Sequence, residues 1–206
     1  MFISKTLNKI YLRVPKTGST SLSKHFVDVL GDDKNSVHTT INVLSVAPKG
    51  VASNINPHSS ISMLISHGVI TESFALNTNV YALIRNPVDR FVSWAYHDSD
   101  GKSYFANKNK NELVEEKLAR IDMSNHMLWP QVTWCTLNGE PINKLFLYEN
   151  FTKMATDFCR KEPPAEYRFR DEDRALKNAD GLDVSLVKEI EKVYAEDVVL
   201  YNQLKK

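Results

Sequence analysis

Apolar and polar positions along the chain sort into strand-length runs and helical repeats, with turn residues between them. Ile10, Tyr11, Leu12 and Val14 form a short apolar run that stops at Pro15. The period then changes, because Leu22, Phe26 and Leu30 recur at helical spacing. This predicts a buried strand, a turn and N-cap within Thr17–Ser21, and a helix. Val80–Ile84 is a second apolar run, closed by Arg85 and punctuated by Asn86-Pro87. Val88, Phe91, Val92 and Ala95 follow at helical spacing, so a second strand feeds a second helix with Pro87 in its first turn. Between these modules the chain is more polar. A short strand is expected near Ser36–Ile41, a helix near Ser59–Ser66, and an amphipathic helix from Glu112 after the Lys/Asn-rich stretch that begins at Asp98.

Composition narrows the class. A chain of 206 residues, 42% hydrophobic and 25% charged, is enough for one α/β unit with an adequate core, and a single domain over 1–206 is expected. A net charge of +1 gives no reason to expect nucleic acid as a partner. The two cysteines, Cys135 and Cys159, make no disulfide framework and are expected as buried thiols. Met1–Lys9 lacks an apolar core of the signal-peptide kind, and there is no run of about 18 apolar residues. A cytoplasmic protein without a membrane anchor is therefore expected.

The chemistry is concentrated where the two strands end. In Pro15-Lys16-Thr17-Gly18-Ser19-Thr20-Ser21 a lysine and a glycine are set among hydroxyl residues at a helix start. Amides at a helix start lack intrahelical acceptors and lie at the positive end of the dipole, so they suit a phosphate, to which Lys16 adds a full charge. The loop is not a Walker A loop, since the lysine precedes the glycine and a second glycine is missing. A nucleotide kinase using ATP and magnesium is the alternative that this argues against. At the second strand end, Arg85 supplies a bidentate fork and Ser93, about two turns into the helix, a hydroxyl; that pair suits a terminal phosphate. Arg90 is expected on another helical face, pairing with Asp89 or a later acid.

Both segments resemble signatures of sulfotransferases that use 3′-phosphoadenosine 5′-phosphosulfate (PAPS). PKTGSTS resembles the loop for the 5′-phosphosulfate, and Arg85, Pro87, Arg90 and Ser93 stand in register with the 3′-phosphate signature R-x-P-x-x-R-x-x-S. The shared loop is most similar to that of the uronyl 2-O branch of carbohydrate sulfotransferases, and Asn125–Cys135 is similar to a histidine-then-Pro-Gln segment of that branch. Asn143–Phe151 looks like the family's later strand and Tyr-Glu-Asn-Phe turn, and Ser185–Leu204 resembles its closing helix.

The resemblance implies a three-layer α/β/α fold with a central, mainly parallel, P-loop-like sheet. It further implies O-sulfation of a hydroxyl on an acceptor, a sugar or glycan, with PAPS as cosubstrate and no metal. Lys16, Thr17, Gly18, Ser19, Thr20, Ser21, Arg85 and Ser93 would hold the nucleotide, and Lys16 would also stabilise charge on the leaving group. Histidine suits a base near neutral pH. His67 is the choice among the six, in Ser66-His67-Gly68, similar to a His-Gly-His segment whose second histidine falls on Val69 here. His58, His38 and Glu72 compete with it, while His97 and His126 suit capping, core or acceptor-lining roles. Arg168 or Arg170 would approach the nucleotide or acceptor by family analogy. A homologue that binds adenosine bisphosphate without turnover is the remaining alternative, sustained by Val69. Trp94, Trp129 and Trp134 fit core positions better than sugar stacking.

Overall fold

A computed structural model describes residues 1–4, 6–30, 56–98, 109–165 and 178–206, and the backbone of 36–38. By their contacts they form two compact units, Met1–Ile84 with Gln131–Arg168, and Arg85–Pro130 with Phe169–Lys206.

The first unit is built on a five-stranded sheet. Its strands are β1 (Phe2–Ser4), β2 (Lys9–Tyr11), β3 (Ser36–His38), β4 (Asn79–Ile84) and β7 (Lys144–Leu147), in the order β3-β1-β2-β4-β7. A hairpin of β5 (Thr136–Leu137) and β6 (Glu140–Pro141) stands apart from it. β2 pairs parallel with β4 and β4 parallel with β7, whereas β1 runs antiparallel to both β2 and β3. All strands but β1 thus point one way, as a mostly parallel sheet requires. Val80–Ile84 is buried throughout, which is why β4 reads as an unbroken apolar run rather than an alternating one.

Alternation along the strands places an aromatic row on one face. Phe2 pairs with Tyr11 and Tyr11 with Tyr81 across β1, β2 and β4. Against this row pack Phe26 of α1 (Ser19–Leu30) and Phe158 of α7 (Phe151–Cys159), whose rings stack 4.3 Å apart. Tyr11 meets Phe26 edge-on at 5.2 Å and Tyr81 meets Phe158 at 5.1 Å. This core fixes α1, and with it the loop that enters α1. Asn143 secures the neighbouring strand: its side chain accepts from Val80 N at 2.9 Å and donates to Thr78 O at 3.0 Å. Short helices α2 (Ile61–Ser66), α3 (Glu72–Leu76) and α6 (Val132–Cys135) complete the unit. Ser60 and Thr71 cap α2 and α3.

In the second unit α4 (Pro87–Asp98) packs with α5 (Lys110–Ala119) and with two C-terminal helices, Val184–Val193 and Ala195–Leu204. Phe91, Val92, Ala95, Leu113, Val114, Leu186 and Ile190 belong to one buried apolar cluster. Arg90 is enclosed beside it. Its guanidinium lies 3.6 Å from the Asp197 carboxylate, donates to Met127 O at 2.9 Å and Trp129 O at 2.7 Å, and sits 5.5 Å from the centre of the Tyr194 ring. The later acid expected for Arg90 is therefore Asp197.

Several boundaries differ from the sequence reading. The first strand is β1, not the run at Ile10; Phe2-Ile3 is too short to show a period. β2 ends at Tyr11, although Leu12 N still donates to Tyr81 O at 2.8 Å. The closing helix is two helices, broken at Tyr194 (φ −110°, ψ 39°), where the buried ring turns in against Phe91. α5 starts at Lys110, because Asn109 and Glu112 form a capping box. Of the strand expected over Ser36–Ile41, only Ser36–His38 lies within the described residues. Both cysteines are buried thiols outside any disulfide.

Candidate functional site

The loop after β2 begins in buried chain. Arg13, Val14 and Pro15 are enclosed, Lys16 and Gly18 are half-buried, and Thr20 is exposed. Two residues of the turn take left-handed backbone, Lys16 (φ 63°) and Gly18 (φ 73°). Glycine adopts that conformation freely, but Lys16 is strained by about 1–2 kcal/mol. Such strain persists only where the surroundings impose it, and it clusters at binding loops. Thr17 imposes part of it: its hydroxyl is buried and donates to Val14 O at 2.9 Å, closing the turn from within. Ser19, Thr20 and Ser21 then form the first turn of α1, which holds no acidic residue to offset the positive end of the helix dipole. The turn thus joins left-handed backbone at Lys16 and Gly18 to a helix start whose first amides lack intrahelical acceptors.

Arg13 is a buried charge beside this turn that the sequence reading passed over. Its guanidinium, 2% exposed, donates to Thr20 Oγ1 at 3.3 Å, and burial pulls its pKa below the ordinary arginine value. The signal was a charge interrupting the apolar run before Pro15. The Arg13 carbonyl in turn accepts from His58 Nδ1 at 2.7 Å, and Trp134 Nε1 donates to His58 O at 2.7 Å. A carbonyl can only accept, so neutral His58 carries its proton on Nδ1 and keeps Nε2 basic. Among the candidate bases whose side chains are described, His58 is tied to the loop segment through the Arg13 carbonyl.

Arg85 and Ser93 are both buried, at 6% and 5% exposure, which excludes a surface salt bridge for the first and a solvated helix position for the second. Asn86 Oδ1 accepts from Val88 N at 2.9 Å and Asp89 N at 3.2 Å, so it caps α4 directly after Arg85. Asp89 Oδ1 accepts from Ala179 N at 2.7 Å. Arg90 is spent on Asp197 and on two carbonyls, so it fixes α4 instead of presenting a charge to a ligand.

His67 ends α2. Its Nδ1 lies 2.7 Å from Met63 O, which again leaves Nε2 as the basic nitrogen. Glu72 is an exposed residue at the start of α3, with Oε1 accepting from Asn138 Nδ2 at 2.6 Å. His38 is placed only as the last residue of β3, His97 is exposed in the last turn of α4, and His126 opens a 3₁₀ turn. Trp94 and Trp134 are core residues, while Trp129 is partly exposed. Arg168 and Arg170 lie outside the described residues.

A mostly parallel sheet whose second strand leads through a turn of left-handed backbone into a helix defines an α/β protein. The model of the sulfotransferase family matches residues 1–203, spanning both compact units. The chain belongs to the sulfotransferase family, whose reaction is sulfuryl transfer. No curated protein and no solved structure matches it significantly. Among the described residues no helix is long and apolar enough to cross a membrane.

Proposed function

We propose that the protein transfers the sulfuryl group of PAPS to a hydroxyl of a carbohydrate acceptor, of the kind modified by the uronyl 2-O branch. The observation that carries this reading is the loop after β2, where left-handed backbone at Lys16 and Gly18 leads into a first turn of α1 that holds no acidic residue. In this role Thr17, Gly18, Ser19, Thr20 and Ser21 bind the 5′-phosphosulfate, and Arg85 and Ser93 bind the 3′-phosphate. Those residues fit the group: its charges are anionic, and the available side chains and amides are donors. PAPS supplies the activated sulfuryl group. Lys16 neutralises charge developing on the bridging oxygen, and catalysis rests on positioning and electrostatic stabilisation.

His67 is the proposed base. Its Nδ1–H is committed to Met63 O, so Nε2 accepts the acceptor's hydroxyl proton as the new S–O bond forms and the bond to the bridging oxygen breaks. His58 is the second choice, for the same tautomer reason. The test is turnover with PAPS and a panel of uronate-containing sugars, in wild type, His67→Ala and His58→Ala. Loss in the first alone assigns the base to His67; loss in the second alone moves it to His58. Equal rates in all three remove both His67 and His58 as the base. A cytoplasmic, single-domain enzyme remains the expectation for its setting.

A further inference from the structure

The first unit carries a groove well removed from the loop. β7 is the last strand of the described sheet, and Lys144 and Phe146, two apart, project to the same face. Along α7, Lys153, Thr156 and Asp157 share one helical face. Together these five line an open cavity of about 660 Å³, within the usual range for a small-ligand site. It lies where the strands begin: Lys144 opens β7, and Lys9, which opens β2, reaches the last turn of α7. The loop leaves β2 at the opposite end of the strand.

The walls are braced. Phe146 lies nearly parallel to Tyr81, ring centres 6.2 Å apart at 7°. Burial and the nearby Asp157 carboxylate push the Tyr81 hydroxyl up, and Lys9 Nζ donates to the carbonyls of Asp157 and Phe158. Lys144 and Lys153, by contrast, have no ion-pair partner among the described residues. The groove therefore offers two ammonium groups that form no ion pair among the described residues, an aromatic face, the Thr156 hydroxyl and one carboxylate.

We propose that this groove binds an acidic sugar segment, a pyranose chain bearing carboxylate or sulfate groups. Lys144 and Lys153 take the anionic substituents, the Phe146 ring takes a sugar face, and Asp157 and Thr156 accept sugar hydroxyls. An inorganic anion would leave most of the volume empty, and an acidic peptide would place further carboxylates against Asp157. The site would hold acceptor chain away from the reacting sugar; that link to transfer rests on the function proposed above, whereas the binding itself does not.

Calorimetry on the full chain tests it with a disaccharide carrying one carboxylate and two sulfates, against cellobiose, sodium sulfate and hexaglutamate. The disaccharide binds most tightly of the four, and affinity falls as salt rises. The double variant Lys144→Gln/Lys153→Gln weakens it fivefold or more and Phe146→Leu weakens it measurably, while the melting temperature and the affinity for adenosine 3′,5′-bisphosphate stay at wild-type values. A loss below fivefold in the double variant, equal binding of sulfate or hexaglutamate, no binding of the disaccharide, or its displacement by adenosine 3′,5′-bisphosphate overturns the proposal. Disaccharide binding without any binding of adenosine 3′,5′-bisphosphate would leave the groove standing and remove the PAPS reading instead.

Discussion

After β2 the proposed anion donors are main-chain amides, set by a backbone that takes left-handed values at Lys16 and Gly18. After β4 the proposed donors are side chains, Arg85 just before the α4 N-cap Asn86 and Ser93 about two turns into that helix, both buried. The loop depends on conformation, the arginine segment on burial. A substitution that changes backbone freedom should therefore damage the first and spare the second, and one that unpairs a buried charge should do the reverse.

The largest effect is expected in the second unit. Asp197→Asn leaves the enclosed Arg90 guanidinium without its carboxylate and should cost about 3–5 kcal/mol of stability, read by denaturant unfolding. A loss under 1 kcal/mol would mean that the two carbonyl acceptors suffice for Arg90. Next comes Lys16→Ala, which should lower kcat by about 10²–10³-fold with little change in stability, since it removes one donor from developing charge. Gly18→Ala follows, at about 1–2 kcal/mol, because φ 73° is strained for any residue with a Cβ. Nucleotide affinity should fall with it, while the unfolding of Arg85→Ala should show no such backbone penalty.

The smallest effect is a pH dependence. Burial, with Asp197 adding and Arg90 opposing, pushes the Tyr194 hydroxyl up to about 12. The unfolded chain releases that proton near pH 10, so between about pH 10 and 12 the folded state holds the proton that the unfolded state has lost. Stability falls as pH rises through that window. Tyr194→Phe should flatten this part of the alkaline unfolding curve; an unchanged slope would assign it to Tyr11 or Tyr81, which burial also raises.

What could be read from the sequence follows the same division. β4, α1 and α4 were legible because their apolar positions repeat over enough residues to show a period, and the PKTGSTS turn because Pro15 closes the apolar run and small, hydroxyl residues lead into the helix. β1 was not, since three residues carry no period and its pairing with β2 and β3 is decided by the sheet. The break at Tyr194 was hidden because the helical repeat continues across it; burial of the ring against Phe91 overrides local propensity. Arg13 and the histidine that holds its carbonyl are 45 residues apart, and long-range hydrogen bonds leave no local pattern.

The central claim is that the chain recognises a nucleotide bearing both a 5′- and a 3′-phosphate. Titration with adenosine 3′,5′-bisphosphate, beside AMP and ATP with magnesium, measures it without an acceptor. The account predicts that binding needs the 3′-phosphate and that Arg85→Ala weakens it by about 1.5–3 kcal/mol, the range for hydrogen bonds to charged groups. Preference for ATP with magnesium, or affinity unchanged in Arg85→Ala, would contradict it.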